Sequence, residues 1–140
     1  MASVQRSIRI PGRLDNEISR EIQQRGERDW TKGALSLLEE AVRASRVPGI
    51  VFVQARDGRR AAVAFSGLEV WEVIASWKEG GESWQVLTKA YPELAESQLR
   101  AALAYYRAYP AEIDERLERE SRWTPERVAD ELPFTHRFGP

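Results

Sequence analysis

Cysteine is absent from the 140-residue chain and histidine occurs once. The first absence removes disulfides, thiolate nucleophiles and thiolate metal ligands. The second leaves His136 by itself in a proline-flanked tail, too isolated for a structural zinc site or a zinc hydrolase. Glycine-rich phosphate loops are also missing: Gly80-Gly81 reads as a helix stop, without the Lys-Ser/Thr that a phosphate loop carries next. Asp114 and Glu118 stand one helical turn apart, but a carboxylate pair on a highly charged helix is a poor basis for catalysis without a cleft and a shifted pKa. No metal, no cofactor and no enzymatic activity are therefore expected. No run approaches the roughly 18 apolar residues that a membrane span needs. The opening "MASVQRSIRI" has no continuous apolar core of the kind a secretory signal requires. A cytoplasmic protein with no membrane partner is the expectation.

Excess charge is missing too, since the formal net charge is −1. The average conceals a gradient. Residues 1–13 contain Arg6, Arg9 and Arg13 and no acid, whereas "EIDERLERE" carries five acids against two arginines. A local basic patch can hold a phosphate backbone even on a neutral chain.

What is present is an apolar fraction of 42%, enough to fold, arranged in short periodic segments. "SVQRSIRIPG" alternates, with Val4, Arg6, Ile8 and Ile10 on one face and Gln5, Ser7 and Arg9 on the other. "RLDNEISREIQQRG" spaces Leu14, Ile18 and Ile22 by four, a surface helix ending near Gly26. "TKGALSLLEEAVRAS" is a second helix with Thr31 as its N-cap, weakened by Gly33 by about 1 kcal/mol relative to alanine. Pro48-Gly49 close that segment. "GIVFVQARDGRRAAVAFSG" predicts a β-hairpin turning at Asp57-Gly58. Four helical segments follow, from "LEVWEVIASWKEGG" through "ESWQVLTKAYP" and "ESQLRAALAYYRAYP" to the charged "AEIDERLERESRW". The fold class is thus mainly α with short β elements. The expected organisation is a strand-helix-helix unit over 1–46, a hairpin-plus-helices unit over 47–120, and a C-terminal tail over 121–140 that can serve as a partner-docking arm.

A lone strand followed by two amphipathic helices cannot satisfy its edge hydrogen bonds or bury its apolar face. The cheapest remedy is a two-fold dimer, with the strand pairing antiparallel to its copy and four helices covering the inner face. Ile8, Ile10, Leu14, Ile18 and Leu38 are the expected dimer residues. Gln5, Ser7 and Arg9 then point outward, duplicated by symmetry, on a ribbon that fits a DNA major groove. Arg6 is expected at a phosphate, Arg13 is counted among the DNA-binding residues, and the Thr31-Lys32 helix start offers N–H groups and a cation to another phosphate. On "SIRIP" and "DWTKGALSLLEEAV", residues 4–46 resemble the ribbon-helix-helix family of bacterial repressors and antitoxins. The resemblance implies base contacts from Gln5, Ser7 and Arg9, a phosphate clamp at Thr31-Lys32, and an inverted-repeat operator in double-stranded DNA. Gly33 departs from the family pattern and is expected to loosen the clamp. The competing reading is an ordinary edge strand packed on the second unit.

Residues 46–118 resemble a small trihelical, helix-turn-helix-like bacterial family long labelled as of unknown function and commonly described as VapB-type antitoxins. The match rests on "GRRA", "SGLEVWEV", "YPEL", "AALAYY" and "YPAEID", in that order. Relatives often carry Gly-Thr before the first helix of the domain; this chain has Phe65-Ser66. The resemblance implies a PIN-like, ribonuclease-type toxin as partner.

Tyr105, Tyr106, Glu112, Asp114, Glu115, Trp123 and Phe134 are the expected toxin-facing residues, since aromatics suit interfaces and acids complement an RNA-binding face. Trp71, Trp77, Trp84, Tyr105 and Tyr106 suit either core or contact, and for each taken singly the core is the stronger reading. The bland alternative for the acidic helix is a solvated face laced with Glu112–Arg116 and Glu115–Arg119 pairs. Leu132, His136 and Phe138 extend the tail. A stand-alone dimeric regulator, or a scaffold that binds no DNA, remain alternatives to an antitoxin.

Overall fold

The structure is a computed structural model in which residues 2–123 are described. It is mainly helical, with six helices and one two-stranded antiparallel sheet among the described residues. The elements run α1 (Gly12–Gln24), α2 (Trp30–Arg46), β1 (Ile50–Ala55), β2 (Gly58–Val63), α3 (Val70–Glu79), α4 (Trp84–Ala90), α5 (Glu96–Ala108) and α6 (Pro110–Ser121). They fall into two compact units, Met1–Arg46 and Val47–Pro140. No described helix is long and apolar enough to cross a membrane.

In the N-terminal unit, Pro11 sets the start of α1, and its carbonyl accepts the Asp15 N–H at 2.9 Å. A proline just ahead of the first turn fits because the first helical N–H groups need no intrahelical partner. The two helices meet where Ile22, 3% exposed, lies on Gly33. A Cβ at position 33 would stand 2.6 Å from the Ile22 Cγ2 atom, so only glycine permits this approach. Gly33, a weak helix former, is also the contact point of the helix pair. Beside it, Arg25 Nη1 donates to Glu40 Oε2 at 2.7 Å, with both side chains 13% exposed, and Arg25 Nε reaches Glu21 at 3.2 Å. Trp30 Nε1 donates to Ser19 Oγ at 3.0 Å, a second polar tie between the helices.

The C-terminal unit is built around α3. Its Val70, Val73 and Ile74 are fully buried. They join Ile50, Ala61 and Val63 of the hairpin, Leu87 of α4, Leu99, Ala102, Leu103 and Tyr105 of α5, and Ile113 of α6 in one core. The strands pair from Ile50↔Val63 to Ala55↔Gly58. The tip is therefore Arg56-Asp57, one residue earlier than the pattern predicts. Gly58 closes the turn at φ +132°, a conformation that L side chains rarely adopt. Side chains serve the starts of α4 and α5. Ser83 Oγ accepts the Val86 N–H at 3.3 Å, while the Gln98 amide accepts from Ala95 N–H at 2.8 Å and donates to the Ala64 carbonyl at 2.9 Å. Pro110 at the first position of α6 breaks α5 from α6 at Tyr109.

Candidate nucleic-acid interface and partner surface

The opening segment forms no strand in the single chain: residues 2–11 make no ladder. The alternating pattern supplies the side chains of a strand but not the second edge that a strand needs. Gln5, Arg6, Ser7, Arg9 and Arg13 are exposed. So are Val4 (73%) and Ile8 (76%), while Ile10 is half-buried.

The start of α2 differs from the expected clamp. Asp29, not Thr31, is the cap: its Oδ1 accepts the Lys32 N–H at 3.2 Å and its carbonyl accepts Gly33 N–H at 3.0 Å. Thr31 lies inside the first turn, where its hydroxyl cannot serve that role. Glu27 Oε1 in turn accepts the Asp29 N–H at 3.1 Å. A carboxylate thus sits at the helix terminus that a phosphate would approach, where the two anions compete. Lys32 and Thr31 remain exposed beside it.

Along α2, Leu35, Leu38 and Val42 form an open stripe, 61%, 59% and 58% exposed. Leu14 on α1 is 48% exposed and Ile18 is half-buried. The residues assigned to dimerisation therefore meet solvent in the isolated chain.

In the C-terminal unit, several partner-facing candidates are turned inward. Tyr105 is fully buried: its ring packs edge-on to Phe52 at 6.3 Å and against Tyr109 at 4.9 Å, and its hydroxyl donates to Glu112 at 2.5 Å. It is a core residue in this fold and offers no surface to a partner. Its helical position cannot reveal that, because α6 folds back over it. Tyr106, half-buried, donates to Asp114 at 2.7 Å and has Lys78 Nζ 5.2 Å from its ring centroid. The Tyr106 hydroxyl holds the Lys78 ammonium above the ordinary lysine value. Two consecutive tyrosines thereby fasten α6 to α5 through the carboxylates expected to face a toxin.

The other acids of α6 are largely engaged as well. Glu118 binds Arg122 at 2.7 Å, and Glu120 pairs with Arg116. Arg116 also binds Asp57 at 2.9 Å, and Asp57 takes a bond from Arg60, which reaches Glu69 at 3.4 Å. This chain of charges joins the hairpin tip to α6 and α3, and Arg60, then Arg116, hold the Asp57 carboxyl down to about 2. Among the described residues, Glu115 is the α6 acid without such an engagement. Trp71, Trp77 and Trp84 pack half-buried against the core. Trp123 is 52% exposed, and Phe134, with Leu132, His136 and Phe138, lies outside the described residues.

Between the hairpin tip and α6 lies a cavity of about 140 Å³, walled by Ala61, Trp71 and Ile113 and bordered by Arg59 and Arg119. Trp71 Nε1 and Arg116 Nε, both from its lining, are buried donors with no partner. Among the described residues no group of three or more His, Cys, Asp or Glu could hold a metal. Neither the Asp57 charge chain nor this cavity is visible in residue patterns, because each joins segments far apart in sequence.

A family model described as a protein of unknown function, DUF433, matches residues 57–106. The matched stretch runs from the hairpin tip through β2, α3 and α4 to Tyr106, shorter than the 46–118 suggested by the motifs. No curated protein and no solved structure matches the chain.

Proposed function

We propose that the chain is a dimeric DNA-binding antitoxin of a type II toxin–antitoxin system. A ribbon-helix-helix-type N-terminal unit binds an inverted-repeat operator and autorepresses its operon. A VapB-type C-terminal unit neutralises a PIN-like ribonuclease. One observation carries the reading: the N-terminal unit buries Ile22 yet leaves Val4, Ile8, Leu14, Trp30, Leu35, Leu38 and Val42 exposed. A unit this small with so little core needs a partner to be stable. A second copy supplies both the missing strand edge and cover for the α2 stripe. Pairing the opening strands through Ile8 and Ile10 then presents Gln5, Ser7 and Arg9 together, residue types suited to base edges.

The test is an electrophoretic shift on the DNA upstream of the gene, at stated salt. Arg9→Ala costs about 1–3 kcal/mol per lost base contact and relaxes discrimination. Lys32→Ala weakens all sequences evenly. Unchanged binding for both removes the strand from the reading. For the toxin half, the check is a neighbouring gene encoding a small acidic-site nuclease whose product co-purifies with the full-length chain.

A second reading is favoured by the inward engagement of the α6 acids, which removes much of the surface expected to face a toxin. It is a stand-alone dimeric regulator in the cytoplasm whose C-terminal unit mediates assembly. Operator binding without any co-purifying neighbour selects it, and absence of DNA binding selects a scaffold.

A further inference from the structure

The cavity between the hairpin tip and α6 is short of hydrogen-bond acceptors. Four arginines and three acids are among its lining residues, a formal surplus of one positive charge. Two of those acids are already engaged: Asp57 accepts from Arg60 and Arg116, and Glu112 accepts the Tyr105 hydroxyl. Arg116 places Nη1 on Asp57 and Nη2 on Glu120, which leaves its Nε buried with no partner. The Trp71 indole N–H is buried and unpartnered too, and the Arg116 guanidinium lies 5.5 Å from the centroid of that ring. Two orphaned donors therefore belong to side chains stacked on one another in one wall. Buried donors in folded proteins nearly always have a partner, so a pair without one marks a missing acceptor. At the border, Glu115 and Arg119 stand one turn apart yet do not pair. Among the described residues the Arg119 guanidinium has no ion-pair partner.

Size and charge define what fits. A cavity of about 150 Å³ holds a benzene molecule, about six heavy atoms, and this one measures about 140 Å³. One negative charge balances the surplus on the lining. A phosphate dianion overshoots it, and a nucleic-acid backbone does so further. A carboxylate carries the single charge on two acceptor oxygens, one for each orphaned donor, and its planar fork suits a guanidinium. Ala61 and Ile113, both buried in the wall, offer apolar cover to a short carbon chain.

We propose that the hairpin–α6 cavity is a binding site for a short monocarboxylate. Its oxygens take the Trp71 Nε1 and Arg116 Nε protons, and Arg119 adds a guanidinium from the border. The group arrives either on a free short-chain acid or on an aspartate or glutamate side chain of another protein. The site lies within the C-terminal unit and stands whether or not the chain binds DNA or a toxin.

The experiment is an NMR titration of the full-length protein with sodium propionate at neutral pH, against sodium chloride at matched ionic strength. The Trp71 indole signal, identified by its loss in Trp71→Phe, is expected to move saturably. The Kd lies between about 0.1 and 10 mM, the range open to so few atoms. Propanamide, which keeps a carbonyl but lacks the charge, binds about tenfold more weakly. Arg119→Gln weakens propionate by about three- to tenfold. Glu115→Gln removes a like charge and tightens it by about two- to threefold. Both positions are exposed, so neither change threatens the fold. Glutamate blocked as its N-acetyl α-amide separates the two sources: binding as tight as propionate or tighter assigns the site to a protein side chain, and weaker binding assigns it to a free acid. Overturning results are no saturable shift with propionate, which leaves water as the occupant, or a shift that spares the Trp71 indole. An equal response to chloride or propanamide, or two variants that bind like wild type, overturns it as well.

Discussion

The two units solve the problem of burial in opposite ways. The C-terminal unit wraps a hairpin and four helices around Val70, Val73 and Ile74 and closes a core on itself. The N-terminal unit joins two helices through Ile22, Gly33 and one shielded Arg25–Glu40 pair, and leaves an apolar stripe open. The C-terminal unit thus buries most of its large apolar side chains, while the N-terminal unit leaves Leu35, Leu38 and Val42 in solvent. Length alone does not decide the matter, since two helices cannot enclose a core whatever their sequence, while a third layer can.

The largest expected effect sharpens that contrast. Ile74→Ala opens a cavity at the centre of the C-terminal core and costs about 2–5 kcal/mol, read as a fall in the denaturation midpoint. Leu38→Glu, on the open stripe, leaves the single chain within about 0.5 kcal/mol if that face stays in solvent. If a second copy covers it, the same change weakens the dimer by more than about 2 kcal/mol, measured by sedimentation in dilute solution. A Leu38→Glu protein that dimerises like wild type breaks the comparison, because the stripe would then be idle surface.

Gly33→Ala has a smaller effect and an informative rescue. The added methyl meets Ile22 at 2.6 Å. Overpacking costs about 1–3 kcal/mol, against roughly 1 kcal/mol gained in helix propensity. Pairing it with Ile22→Ala makes room and recovers part of the loss in a thermal melt. If Gly33→Ala alone stabilises the protein, the helices do not meet there.

Asp29→Asn acts on affinity. Asparagine keeps the capping acceptor for Lys32 N–H while removing the negative charge at the α2 terminus. Affinity for any DNA is expected to rise by about two- to fivefold at low salt, an advantage that shrinks as salt is added. An unaltered affinity would place the phosphate contact elsewhere.

How much of this is legible in the residues themselves follows the range of each interaction. The mainly helical class with a short hairpin is legible, because period and turn chemistry act over a few residues. So is the Ser83 cap, three residues from the N–H it serves. The Asp29 cap is misread as Thr31 because both residues favour that position and the choice depends on where Trp30 turns back to Ser19. The role of Gly33 is hidden because its reason is an isoleucine in the other helix. Tyr105 reads as either core or contact, and the choice is made only when α6 returns its Glu112 over it. Arg116, expected to pair along its own helix with Glu112, pairs instead with Glu120 and with Asp57 at the hairpin tip. Phe65 is visible in the residues only as a departure from Gly-Thr; its φ of +61° and full exposure belong to the turn.

The smallest effect concerns that hairpin tip and distinguishes the self-sufficient unit from its neighbour by pH. The Asp57 carboxyl lies at about 2 in the folded chain against 3.8 for the free group, chiefly through its bond from Arg60, then from Arg116. A depressed carboxylate contributes stability that is present in full above the unfolded value. That contribution fades as pH falls from about 4 towards 2, where the folded-state group takes up its proton. Asp57→Asn cannot titrate, so its melting temperature should lie below wild type at neutral pH and converge with it towards pH 2. Thermal melts in steps across that window, at moderate salt, separate this site from the general acid sensitivity of the other carboxylates. A gap between the two proteins that stays constant with pH would mean that the Asp57 network adds shape to the turn but no charge-dependent stability.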